Sequence, residues 1–194
     1  NELMHQLSGY DFNRDIPSLD ATSRLSPYLH FGNVSVAQVF QDISPLDRDN
    51  TDYASFRREL GWREFNAHLI FHFPSFCDGP FKQEFNNFPW TNDQELLKKW
   101  QKGRTGFPIV DAGMRQLWNT GWMHNRVRMI TASLLVKHLL VDWKFGRDWF
   151  WDTLVDADLS NNSAGWQWVA GCGSDAAPYF RIFNPILQGK KFDP

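Results

Sequence analysis

The run GWMHNRVRMITASLL, residues 121–135, decides how this chain is read, together with DADLSNNSAGWQW, residues 156–168, and DAAPYFRIFNP, residues 175–185. These stretches set Trp122, His124, Asn125, Arg126, Arg128, Asp156, Asp158, Asn161, Asn162, Trp166 and Trp168 around apolar spacers of helical length. A core built only for stability would not choose that mixture, because buried charges and amides cost free energy unless each finds a partner. Planar aromatics beside fixed charges and amides suit a large flat ligand, either redox-active or nucleobase-like. After Trp122, Val127, Ile130 and Leu134 form the buried face of a helix, and Asn125, Arg128 and Met129 share another face. Arg128 is the expected partner of Asp156, since a buried charge needs one.

Working outward, residues 53–73 read as a long helix ended by Pro74. Phe56, Leu60, Leu69 and Phe73 make its apolar stripe, while Glu59, Trp62, Arg63 and Asn66 fall at i, i+3, i+4 and i+7 on another face. A carboxylate, an indole, a guanidinium and an amide on one face are either a solvated side with an ion pair or the lining of a site. His68 and His72 are four apart, which a metal could use, but Leu69 breaks the HExxH signature and two helix-packing histidines are expected instead. Ser35 and Gln38 have capping-box spacing for a short helix, and residues 44–52 read as a loop. Thr91 and Gln94 are read as a second box opening a helix over 91–102, with Gly103 as its stop. Lys98, Lys99, Lys102 and Arg104 give that helix a basic cluster, read as a solvated face, with a DNA-facing edge as the other reading. In 108–121, Val110, Met114, Leu117 and Trp118 are expected to point inward and Gly121 to close the helix. Thr22, Ser23, Arg24, Leu25 and Ser26, just before Pro27, form either a helix cap with a solvated arginine or a cradle for a pyrophosphate. No alternating strand is evident, so the expectation is an all-α domain with one cofactor cavity between helices.

Composition narrows the function classes. A chain of 194 residues suffices for one domain, and its ten Trp exceed what core filling asks for. The net charge of −2 gives no global basic field, so any contact with DNA has to come from a local patch. Cys77 and Cys172 lack metal or redox spacing and fit ordinary thiols in a reducing, intracellular compartment. No apolar run is long enough to span a bilayer, and no GxGxxG follows a strand, so a Rossmann-type cofactor site is unsupported.

With TSRLSPYLHFGNVS at residues 22–35, the strings WMHNRVRM, DADLSNNSAGWQW and DAAPYFRIFNP resemble the signature segments of the FAD-binding domain of the photolyase/cryptochrome family. They occur in the family's order and cover nearly the whole chain, and the likeness is greatest to cyclobutane pyrimidine dimer photolyases of microbial type. The resemblance implies that residues 1–194 are a helical FAD-binding, catalytic domain from which an N-terminal α/β antenna domain and C-terminal helices are missing, the antenna chromophore of unidentified kind going with the former. It implies folded FAD, active when reduced, held by Tyr10, Thr22, Ser23, Arg24, Leu25, Ser26, Arg128, Asp156, Ala157, Asp158 and Asn162, with Asn162 facing flavin N5. An amide at that place would serve a protonated or an unprotonated nitrogen equally.

By the same resemblance the partner is UV-damaged DNA, met by a monomer that is cytoplasmic and nucleoid-associated if microbial, with neither metal nor membrane involved. Arg14, Glu59, Trp62, Arg63, Asn66, Asn125, Arg126, Met129 and Trp168 would hold the DNA and the flipped-out lesion, Glu59 bonding the damaged bases. Trp90, Trp143 and Trp166 match an electron relay, which is favoured over the competing account of three core tryptophans. The activity implied is light-driven dimer repair by electron transfer, a carbon–carbon lyase reaction. Two alternatives are kept. One is a cryptochrome-type blue-light photoreceptor, against which Asn162, Trp62 and Trp168 speak; the other is a non-catalytic flavin- or nucleic-acid-binding helical module. Asn125, where a six-four photolyase would carry His, points to cyclobutane dimers.

Overall fold

In the computed structural model, residues 7–44, 49–177 and 181–193 are described, and among them the regular structure is entirely helical. In chain order the helices are α1 (Tyr10–Asn13), α2 (Ser26–His30), α3 (Val36–Ile43), α4 (Thr51–His72), α5 (Gln94–Gln101), α6 (Pro108–Thr120), α7 (Asn125–Ser133), α8 (Trp143–Thr153), α9 (Leu159–Ala170) and α10 (Pro185–Phe192). The π turn Leu134–His138 extends α7. The all-α expectation holds, and no described helix is long and apolar enough to cross a membrane.

Helix α9 is the hub. It packs on α8, α4 and α7, while α1 and α3 lie against α4, and α10 against α6 and α7. Three apolar clusters result. The largest joins α5 to α9 around Trp100, Val110, Met114, Leu117, Ile130 and Leu135, all within 1 % of complete burial. Each side chain of that kind contributes about 2–3 kcal/mol by leaving water. Trp100 keeps its indole N–H satisfied by donating to Thr131 O at 2.9 Å. A second cluster holds Tyr10, Val39, Ile43, Tyr53, Phe56 and Leu60, and a third Leu69, Phe76 and Cys77.

Local chemistry explains most boundaries. Ser35 caps α3 by accepting from Gln38 N at 3.1 Å, as its spacing predicts. Gly121 ends α6 at φ 69°, a left-handed conformation that costs a residue with a Cβ. Other expectations need correcting. Helix α4 starts at Thr51, because Asn50 accepts from the N–H groups of Asp52 and Tyr53; the loop reading of 44–52 thus runs two residues too far, and 45–48 lie outside the described residues. Helix α5 is capped by Asp93 rather than Thr91, whose hydroxyl instead reaches Leu139 O and Leu140 O across the fold.

Phe73 is half-exposed, because the chain leaves the helical path there and carries it off the stripe. Trp118 is 68 % exposed and stacks on Trp149 of α8 at 5.7 Å, pairing with an aromatic on the surface in place of the core. His68 and His72 are both exposed and lie against each other at 4.2 Å instead of packing inward. Lys98, Lys99, Lys102 and Arg104 are solvated.

Candidate functional site

Between the three clusters a cavity opens, walled by α4 on one side and by α7 and α9 on the other. It has a larger chamber of about 550 Å³ and a smaller one of about 290 Å³. The wall they share consists of Arg14, Glu59, Asn125, Arg128, Asp156 and Asn161.

The smaller chamber is lined by the segment Thr22, Ser23, Arg24, Leu25 and Ser26, with Tyr10 and Phe56 as its apolar side and Arg63 at its edge. Arg24 adopts φ 49°, bonds Asp20 at 3.0 Å and lies over the Trp122 ring at 4.7 Å. Ser26 Oγ donates to Asp156 at 2.5 Å, fastening the loop to the cavity wall. The larger chamber takes Trp62, Phe65 and Asn66 from α4, Arg126 and Met129 from α7, and Ala157, Asp158, Asn162, Trp166 and Trp168 from the α9 region.

The i, i+3, i+4, i+7 face of α4 therefore lines the site, and the stability stripe of the same helix, through Phe56, Leu60 and Leu69, goes to the core. All sequence-expected cofactor and lesion residues meet in the two chambers. Trp166 joins them, but Trp143 and Trp90 do not. Trp143 is buried and Trp90 partly buried in the same aromatic cluster as Trp166, which touches Phe150 at 5.0 Å and Trp100 at 6.0 Å.

The electrostatics of the lining are one-to-one. Six arginines line the chambers, and each is held by a carboxylate: Arg14 by Glu59 at 2.5 Å, Arg24 by Asp20, Arg63 by Asp158 at 3.3 Å, Arg126 by Asp15, Arg128 by Asp156 at 2.9 Å, and Arg181 by Asp175 at 4.0 Å. No lysine is among the lining residues described. Burial works against the Arg14 charge, yet the hydrogen bond and charge of Glu59 outweigh it and raise its pKa above the usual range. Burial likewise opposes ionisation of Asp158, but hydrogen bonds from Ser160 and Asn161 and the nearby Arg63 hold its carboxyl below the usual range. Burial pushes the Tyr10 phenol up, keeping it neutral.

Asn162 is fixed more tightly than an amide needs to be. Its Nδ2 donates to Arg147 O at 2.9 Å, which fixes the amide plane and leaves its carbonyl oxygen and second N–H for a ligand in the chamber. Asn66 and Asn161 are joined at 2.9 Å, linking α4 to α9 across the cavity. Phe65, Asp15 and Arg181 also line the chamber and are not among the sequence candidates. Phe65 could have been reached from its place three residues after Trp62, its edge-on neighbour at 5.7 Å. For Asp15 and Arg181 the sequence holds no periodic signal, because both sit outside helices.

Two chambers in line, with hydroxyls and an arginine around one and amides and flat rings around the other, suit a bent dinucleotide carrying a planar ring. The class is thus a helical flavin-type cofactor domain. A model of the FAD binding domain of DNA photolyase matches residues 56–194, and this chain belongs to that family. It is 56 % identical over 189 residues to a deoxyribodipyrimidine photo-lyase of Agrobacterium fabrum, covering 96 % of this chain and 40 % of that relative. It is 45 % identical to Cryptochrome-2 of Arabidopsis thaliana over 97 % of this chain and 32 % of the relative. Among solved structures, a bacterial class III photolyase from Agrobacterium tumefaciens superposes with a TM-score of 0.92 at 56 % identity, over 97 % of this chain and 39 % of that one. The chain thus spans about 40 % of the length of the photo-lyases it matches.

Proposed function

We propose that this chain is the catalytic domain, over residues 1–194, of a light-driven DNA repair enzyme that splits cyclobutane pyrimidine dimers, working as an intracellular monomer on UV-damaged DNA. The observation that carries this reading is the shared wall. Glu59 and Asn125, on the lesion side, line the same two chambers as Arg128 and Asp156, on the cofactor side, so two linked bases in one chamber would abut a ring in the other.

The donor set fits FAD. Thr22 to Ser26 would hold its phosphates, Asp156 and Asp158 its sugar and ring edge, with Arg128 balancing charge beside the ring. Asn162 spends one of its two N–H donors on Arg147 O, so its second N–H and its carbonyl oxygen both stay available to the ring. It would thus serve a ring nitrogen with or without a proton, accepting from the one and donating to the other. When held there in its reduced form, FAD would supply light-driven one-electron chemistry that opens the dimer ring with no net oxidation.

The remaining residues handle the lesion. A dimer pairs poorly, so extruding it from the duplex costs less than extruding intact bases. Trp62 and Trp168 wall the space, Met129 fills it, and Asn125 and Glu59 supply hydrogen bonds to the base edges. Arg14 meets Glu59 within the cavity, so its first task is to hold that carboxylate, and contact with the DNA backbone comes second. Trp90, Trp143 and Trp166 would return electrons to oxidised FAD from the surface. A cryptochrome-type role is the second reading, favoured by the likeness to Cryptochrome-2. Irradiating a dimer-bearing oligonucleotide with blue light in the presence of the full-length, FAD-reduced protein separates the two: dimers disappear under repair, and persist if the chain only signals.

A further inference from the structure

Arginines that line a DNA-facing cavity normally supply the positive field that binds phosphate. Here each is already neutralised, but not equally. Asp156 has a side chain only 3 % exposed and takes Arg128 through both its oxygens, whereas Asp15, which also lines the larger chamber, is 33 % exposed and meets Arg126 through one oxygen. With Arg126 17 % and Asp15 33 % exposed, water reaches this pair from the carboxylate side, as it does not at Asp156. A phosphate can therefore displace Asp15 from Arg126, which it cannot do to Asp156 on Arg128. Arg126 is otherwise poised for such an exchange: its guanidinium rests on the Phe192 ring at 4.4 Å, and its Nε is buried with no hydrogen-bond partner among the described residues.

Resting on the repair reading above, we infer that Asp15 is a built-in counter-ion that occupies Arg126 and so lowers the affinity for DNA, leaving undamaged duplex too weakly held to stay bound. Undamaged duplex offers Arg126 only one anion in place of another and gains almost nothing. A duplex with an extruded dimer makes the same exchange and also fills the larger chamber with two bases, so the carboxylate weakens both complexes but leaves only the damaged one tight. The overall charge of −2 works in the same direction, keeping sequence-independent attraction low.

The test is Asp15→Asn in the full-length, FAD-loaded protein, with binding to undamaged and dimer-bearing duplexes measured across a salt series. The slope of log K against log salt on undamaged duplex is expected to steepen by about 0.9, the value of one more neutralised phosphate. Affinity for that duplex should rise about fivefold and that for the dimer-bearing duplex by a similar factor, with Asp15→Glu restoring both. The double variant Asp15→Asn with Arg126→Gln, uncharged at this position again, should return the slope to that of the parent, which keeps the assignment testable if either single variant folds poorly. An unchanged slope in a flavin-retaining Asp15→Asn protein overturns the assignment, and so does a weaker slope with loss of both complexes, which would make Asp15 an orienting clamp. A parent protein with no preference for the dimer-bearing duplex refutes the repair reading itself, a failure visible before any variant is made.

Discussion

Arg128 donates to both oxygens of Asp156, at 3.0 and 2.9 Å, and the same carboxylate accepts from Ser26 Oγ at 2.5 Å. One acid thereby joins α7, the loop over 22–26 and the approach to α9 at the seam of the two chambers. Because the Asp156 side chain is almost fully buried, its removal strands a guanidinium and a hydroxyl together. Asp156→Ala is expected to destabilise the fold by about 3 kcal/mol, the lower end for a broken buried pair because Arg128 is a quarter exposed. Flavin retention should fall at least tenfold. Urea unfolding and the flavin absorbance of the purified variant check both, and parental flavin content would remove Asp156 from the cofactor site.

Glu59 is bound to Arg14 at 2.5 Å in a wall common to both chambers. Glu59→Ala deletes one charge-assisted hydrogen bond to the bases, worth about 1.5 kcal/mol, so affinity for a dimer-bearing oligonucleotide should fall about tenfold with FAD still bound. Repair per absorbed photon should drop as well. Equal quantum yields for variant and parent would exclude Glu59 from the chemistry.

Helix α8 leaves room for Trp166 only because residue 146 is glycine. A Cβ there would stand 2.1 Å from the indole ring. Gly146→Ala should cost about 1–3 kcal/mol through overpacking and push the indole towards the larger chamber. Thermal unfolding reports the first effect, and a changed circular dichroism signal of the bound flavin the second.

Trp166→Phe keeps the packing against Phe150 and removes the easily oxidised indole. Photoreduction of oxidised FAD should slow at least tenfold, while repair by chemically reduced protein stays near the parental level. Unaltered photoreduction would reassign Trp166 to the core it also serves.

His124 caps α7, accepting from Arg126 N through Nδ1 at 3.1 Å, and burial is the main reason its pKa lies below the ordinary histidine value. The unfolded chain therefore takes up this proton first. Its contribution is fully present above the unfolded pKa of about 6.5 and is lost as pH falls from there towards the depressed folded value. His124→Asn keeps a capping acceptor without titrating, so its stability should vary less with pH below 6.5 than that of the parent. Parallel stability curves for the two proteins would contradict this.

Much of the site was legible from the chain alone. The face of α4 carrying Glu59, Trp62, Arg63 and Asn66, and the pairing of Arg128 with Asp156, follow from helical spacing and from the need of a buried charge for a partner. Those rules act within one helix or on one strong pair, where sequence distance stands in for spatial distance. The all-helical character was equally legible, since periodicity, caps and stops are local.

What the chain alone could not decide depended on neighbours far away in sequence. Whether Trp118 faces the core was settled by Trp149 on another helix, and the role of Thr91 by the carbonyls of Leu139 and Leu140. The opposite ends of the site show the same limit. Glu59 was expected to bond a damaged base and Asn162 a ring nitrogen, but nothing in the sequence announced that Arg14 would already hold the one and the backbone of Arg147 would orient the other. Hydrogen bonds are short-ranged and directional, so the state in which a polar group waits for its ligand is set by whichever donor the folded chain brings within about 3 Å, and composition and periodicity carry no record of that meeting.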